Sequence, residues 1–103
     1  MQHKIYIAIA AQAMEDLTRL DAHLCSQADP LAGALLDFVL EAIAVLQRQP
    51  GIGRPTRDGL RELIIQRNRT GYLALYQYRR ELGHVAILRI RHQRESGYTE
   101  DEI

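Results

Sequence analysis

Residues 87–98, ILRIRHQRESGY, place Arg89, Arg91 and Arg94 around His92 and end at Tyr98. These are the side chains in the chain best suited to chemistry. A guanidinium presents a planar fork of donors that fits phosphate or carboxylate oxygens two at a time. An imidazole gains or loses a proton near neutral pH. The three arginines are therefore either ordinary solvated residues at a strand's end or the surface that meets an anionic partner.

The charge distribution favours a partner. The net charge is zero, yet residues 54–94 carry ten arginines against Asp58, Glu62 and Glu81, a surplus of seven. Residues 1–53 hold three basic and six acidic side chains, and Glu95, Glu100, Asp101 and Glu102 follow the basic stretch. Such a segment is the footprint of contact with nucleic acid or an acidic protein surface. Lys4 is the only lysine. A GC-rich genome accounts for part of that bias toward arginine, but not for the clustering.

Other constellations are weaker. His3, His23, His84 and His92 have no metal-ligand spacing, and no cofactor is expected. Cys25 is the single cysteine, which excludes an internal disulfide, and its helical setting reads as a small core residue. Tyr72, Tyr76 and Tyr78 fall on one strand face and should bury together. Lys4 before IYIAIAA resembles a very short leader, but alternating Ile5, Ile7 and Ile9 read better as a strand. No run approaches the roughly 18 apolar residues a membrane span needs, so a cytoplasmic protein is expected.

These residues need a scaffold, and 103 residues suffice for one modest core, read as a single domain over 1–103. Residues 3–9 read as a strand. Met14, Leu17, Leu20 and Leu24 then recur at helical spacing from Ala11 to about Gln27. Asp29-Pro30 is a strong start signal for a second helix running to about Gln49, before Pro50-Gly51. That helix is apolar around most of its circumference, with Leu36 and Leu40 widening the stripe, so a margin is left for another chain.

A Pro- and Gly-rich loop at 50–59 precedes three strand patterns at 60–67, 71–80 and 84–92. The expected fold is α+β: two N-terminal helices on one face of a mostly antiparallel four-stranded sheet, in the order β-α-α-β-β-β. On the last strand, period two puts Ala86, Leu88 and Ile90 under the helices and Val85, Ile87, Arg89 and Arg91 on the other face. Arg61 and Arg67 bracket Leu63 and Ile65 on the neighbouring pattern. The expectation is a half-open sheet face rimmed by Arg61, Arg67, Arg89, Arg91 and Arg94.

Taken in order, the GRP loop, GLREL, GYLALYQY and VAILRIRHQRESGY resemble the RelE/ParE superfamily of type II toxin–antitoxin toxins, nearest its ParE-like, plasmid-stabilisation branch. The resemblance implies a bacterial growth inhibitor held inactive by a cognate antitoxin, as a homodimer or a toxin–antitoxin hetero-oligomer. ParE-like members poison DNA gyrase. RelE-like members cut mRNA on the ribosome, which needs cations for the developing phosphoryl charge and a group to move protons. RelE-like enzymes carry lysines on the second strand and an arginine after Gly-Tyr; this chain has Glu62, Leu63, Ile64 and Ile65 there, and Leu73 after Gly71-Tyr72. Arg94 and Tyr98 match the late arginine and tyrosine of the ribonucleases, though more closely spaced, and His92 could serve as acid or base. The resemblance thus leans toward a gyrase poison, with a ribosome-dependent ribonuclease or a non-toxic interaction module as alternatives. An antitoxin would lay an amphipathic helix on the apolar face, set acidic side chains against Arg61, Arg89 and Arg91, or add a strand to the sheet edge.

Overall fold

The computed structural model describes residues 4–98; His3 and the acidic run Glu100, Asp101 and Glu102 lie outside them. The chain opens with strand β1 (Tyr6–Ile9) and turns within one residue into helix α1 (Ala11–Ser26). Ala13, Asp16, Leu17, Leu20 and Leu24 form the buried stripe of α1. Met14 is partly exposed. Cys25 is exposed rather than in the core, because one residue past Leu24 the helix has rotated away from the sheet.

The second helix starts later than Asp29-Pro30 suggests. The Asp29 carboxylate accepts the Leu31 N–H at 2.8 Å, the Ala32 N–H closes back on the Asp29 carbonyl, and Gly33 follows at φ +86°. A capped turn therefore occupies the place of the first helical turn. Helix α2 then spans Leu35–Ile43 and tightens into a 3₁₀ turn at Ala44–Gln47. Leu35, Val39, Ile43 and Leu46 point inward, while Leu36 and Leu40 stay exposed.

The sheet has five strands rather than four. Strand β2 (Arg54–Pro55) is a two-residue strand formed inside the Pro- and Gly-rich loop, ahead of β3 (Arg61–Arg67), β4 (Thr70–Arg79) and β5 (His84–His92). The spatial order is β1-β5-β4-β3-β2, with β1 parallel to β5 and every other pairing antiparallel. Tyr72, Ala74 and Tyr76 of β4 meet Ile65 of β3 and Val85, Ile87 and Ile90 of β5 beneath the helices. The Tyr76 hydroxyl donates to the Pro50 carbonyl at 2.8 Å and accepts the Gly53 N–H at 2.9 Å. It pins the loop that carries β2.

Strand β5 departs from simple alternation. Leu75 pairs with Arg89 and Tyr76 with Ile87, so Leu88 is an extra residue, a β-bulge. Val85 and Ile87 face the helices before the bulge and Ile90 faces them after it. Arg89 and Arg91 consequently share the opposite face with Leu73 and Leu75. The expected grouping of Ala86, Leu88 and Ile90 under the helices fails because one inserted residue exchanges the two faces.

Gly71 opens β4 where backbones come closest. A Cβ there would sit 2.2 Å from the Ile65 carbonyl oxygen and 3.1 Å from the Gln66 Cα. Gly71→Ala should therefore cost about 2–3 kcal/mol as an overpacking lesion. Gly97→Ala, with nothing within 4 Å of the added carbon, should stay within about 0.5 kcal/mol of the parent. Urea unfolding midpoints compare the two.

Candidate functional site

The five arginines singled out by sequence do not share a rim. Arg61 and Arg67 pair with Tyr76 and Thr70, which places them at opposite ends of β3 on the helix-covered face. Arg89 and Arg91 lie on the other face. Each of these four is engaged within the molecule. Arg61 donates to the Gly53 carbonyl at 2.7 Å. Arg67 forks onto Asp29 at 2.6 and 3.1 Å, and the bond holds the Asp29 carboxyl below its ordinary range.

Arg89 is only 4% exposed and grips the equally buried Asp16 of α1 at 2.8 and 3.0 Å. The same carboxylate accepts the Ile90 N–H at 2.9 Å. Arg91 donates to the Glu95 carbonyl and lies 3.9 Å from Glu62, its buried Nε without a hydrogen-bond partner among the described residues. Of the five, only Arg94 is exposed with a guanidinium that makes no hydrogen bond or ion pair among the described residues.

The face opposite the helices is closed by the segment after β5. The guanidinium carbons of Arg89 and Arg91 lie 5.7 and 5.2 Å from the centre of the Tyr98 ring, in cation–π range. The Tyr98 hydroxyl donates to Glu62 at 2.6 Å, and Arg54 donates to the same carboxylate at 2.8 and 3.2 Å. Burial pushes the Glu62 carboxyl up, but the bonds from Tyr98 and Arg54, with the charge of Arg91, outweigh it and hold the group below its usual range. Burial first, then the bond to Glu62, raises the Tyr98 hydroxyl. Tyr98 therefore stays protonated and already donates that proton inside the protein.

His92 is on the other side of the sheet. Its ring meets Tyr72 edge-on, with centroids 5.3 Å apart. Burial, then the charge of Arg94, lower its pKa, so the ring is neutral near pH 7. Its Nδ1 accepts the Arg94 N–H at 3.0 Å, which assigns the ring hydrogen to Nε2. The three residues matched to a ribonuclease are thus not all brought together: His92 and Arg94 are neighbours, but the sheet separates them from Tyr98, whose hydroxyl is committed to Glu62. Sequence reasoning missed Asp16 and Glu62, the carboxylates that organise the arginines. The available signal was a lone acid in each apolar stretch, on the stripe of α1 and within LRELIIQR.

A helix pair over a mixed sheet of this order, with its far face closed by the segment between β5 and Tyr98, is the architecture expected of a RelE/ParE-type toxin domain. The match to the family model described as ParE toxin of type II toxin-antitoxin system, parDE, covers residues 7–97. The chain belongs to that family. Toxin RelE3 of Caulobacter vibrioides is 32% identical over 89 residues, covering 86% of this chain and 95% of the relative. Among solved structures, the chromosomal ParDE toxin–antitoxin system from P. aeruginosa superposes with a TM-score of 0.72 at 24% identity, over 88% of this chain and 98% of that one. The toxin–antitoxin complex RelBE2 from Mycobacterium tuberculosis gives 0.61 at 26% identity, over 88% and 100%. No helix among the described residues is long and apolar enough to cross a membrane, and none of their His, Cys, Asp and Glu side chains group to hold a metal.

Breaking the buried pair should be costly. Asp16→Ala leaves the Arg89 charge without its carboxylate and should destabilise the protein by about 3–5 kcal/mol, while the double change Asp16→Leu with Arg89→Met should recover most of that loss. Urea titration of the three proteins measures both. Glu62 sets an acid limit as well. Because its folded pKa lies below the ordinary 4.5, its contribution is complete above that value and disappears as pH falls through the lower folded one. The stability difference between the parent and Glu62→Gln should therefore be constant above about pH 5 and shrink below it, read from urea midpoints across pH.

Proposed function

We propose that this chain is a growth-inhibiting toxin that poisons DNA gyrase in the cytoplasm and is neutralised by a cognate antitoxin. Membership of the ParE toxin family supports the class. The observation that carries the choice of target is the separation of His92 from Tyr98. Cleavage of RNA needs an acid or base and a charge-stabilising cation converging on one phosphate. Here the Tyr98 hydroxyl is committed to Glu62 on one side of the sheet while His92 and Arg94 stand on the other, so the three residues matched to a ribonuclease do not converge on one phosphate. A toxin that acts by binding needs no such set.

The contact to the target is assigned to the turn after β5, where Arg94 stands exposed. Arg61, Arg67 and Arg89 act instead as internal braces, and Arg91 holds the Tyr98 segment in place. For the antitoxin, the outer surface of the helix pair is the natural seat: Leu36, Leu40 and Met14 remain exposed there. An amphipathic segment would cover them.

Purified toxin should inhibit supercoiling by gyrase, and Arg94→Ala should raise the dose required about tenfold, the scale of one lost charge-assisted contact. Unimpaired supercoiling at doses that arrest growth would reject the proposal. The likeness to Toxin RelE3 favours a second reading, ribosome-dependent mRNA cleavage. Codon-register cuts on translated mRNA after induction, mapped by primer extension, would establish it in place of the first. Absence of any growth arrest would reject both and leave a non-toxic interaction module.

A further inference from the structure

A cleft of about 610 Å³ opens on the helix-covered side, away from the Tyr98 segment. One wall is the C-terminal half of α1, with Arg19, Leu20, His23 and Leu24. The other is formed by Arg67, Tyr72, His92 and the turn residues Arg94 and Glu95, with Asp29 between. Its volume is in the range of small-molecule sites.

The hydrogen-bond inventory decides what could enter. Both carboxylates in the cleft are already engaged, each of their oxygens accepting at least one N–H. Asp29 receives the Leu31 N–H and both arms of Arg67. Glu95 receives the His92 N–H at 2.9 Å on one oxygen and Arg19 at 3.0 Å on the other. Each carboxylate already has a guanidinium partner, so neither is left as an unpaired negative charge to attract a cation. The unspent capacity is on the donor side: the guanidinium of Arg94 and the Nε2–H of His92, with the His23 ring close enough to act on His92 electrostatically. Three guanidinium groups against two carboxylates leave one net positive charge in the cleft before either imidazole is protonated. Leu20, Leu24 and the nearly buried Tyr72 add an apolar wall beside these donors. A ligand that fits must combine an oxyanion with a flat apolar body.

We propose that this cleft binds a phosphomonoester of a nucleoside, its phosphate held by Arg94, His92 and His23 and its base lying against Leu20, Leu24 and Tyr72. The source is a free mononucleotide or the terminal phosphate of a nucleic acid strand. The site shares Arg94 with the gyrase contact proposed above but does not rest on it: ligand binding is read from the His23 and His92 rings without gyrase, so the two readings fail separately.

The binding is linked to pH. The groups that face His92 are Arg19 and His23 from α1, Asp29 from the turn before α2, Arg67 from β3, Tyr72 from β4, and Arg94 and Glu95 beyond β5. A bound dianion adds the negative charge that these leave lacking, so it should favour the imidazolium form and raise the His92 titration midpoint.

The test is an NMR titration of the His23 and His92 ring resonances in the purified full chain, assigned with His23→Gln and His92→Gln. AMP, adenosine, inorganic phosphate and a 5′-phosphorylated dinucleotide are added separately. AMP should shift both rings saturably and raise the His92 midpoint. Adenosine and phosphate should each bind at least about tenfold more weakly, and Arg94→Gln should weaken AMP about tenfold with an unchanged amide spectrum. A dinucleotide that binds more tightly than AMP assigns the strand terminus as the source; the reverse assigns the free nucleotide. Unmoved rings with AMP and dinucleotide alike would overturn the proposal. So would phosphate or adenosine alone matching AMP, or full AMP affinity in Arg94→Gln.

Discussion

The structure depends on one carboxylate at a strand edge. β1 runs beside β5 only from His84 to Ile87, and β5 continues to His92. Beyond Ile87 that edge has no strand partner, and an unpaired backbone N–H shielded from water is expensive. Asp16 meets the need by accepting the Ile90 N–H while it holds Arg89. The contact also fixes how α1 lies on the sheet, because the helix must bring residue 16, in its second turn, to that edge. A buried ion pair is weak evidence for net stability, since desolvation offsets much of the attraction. Its role here is positional: it sets helix, strand and bulge in a single register.

That role explains which parts of the fold were legible in sequence. Element order and type were, because the periods of α1 and the strands are long and clean, and because Tyr72, Tyr76 and Tyr78 alternate without interruption. The bulge at Leu88 was not. An inserted residue leaves no mark in a run such as HVAILRIRH, where either alternation offers an apolar face, and only pairing with β4 reveals it. Asp29-Pro30 misled for a related reason. Its side chain did cap a local N–H, yet a second claimant, Arg67, made the turn more useful as an anchor than as a helix start. β2 was missed because two paired residues carry no period at all.

The candidate site was the least legible part, and the arginines show why. Charge clustered in sequence need not be clustered in space, since consecutive strands distribute their side chains over two faces. The partners that neutralise these arginines lie far away along the chain: Asp16 is 73 residues from Arg89, and Asp29 is 38 from Arg67. The acidic first half thus supplies carboxylates to the basic second half, and Arg67 and Arg89 are consumed by folding rather than displayed.

What escapes that pairing tells where a partner can act. Arg57, Arg69, Arg79, Arg80 and Arg94 are all exposed, and all lie in turns or at strand ends. A cation in mid-strand faces a neighbouring strand, a helix or the closing segment, so burial forces it to find a carboxylate or distort the sheet. A cation in a turn has no such obligation and keeps its donors for another molecule. The side chains free to recognise a target are therefore those the sheet does not need, and substitutions there should alter binding while leaving the fold intact. In mid-strand, at Arg89, the two effects are inseparable, because removing the charge also removes the brace that seats α1 on β5.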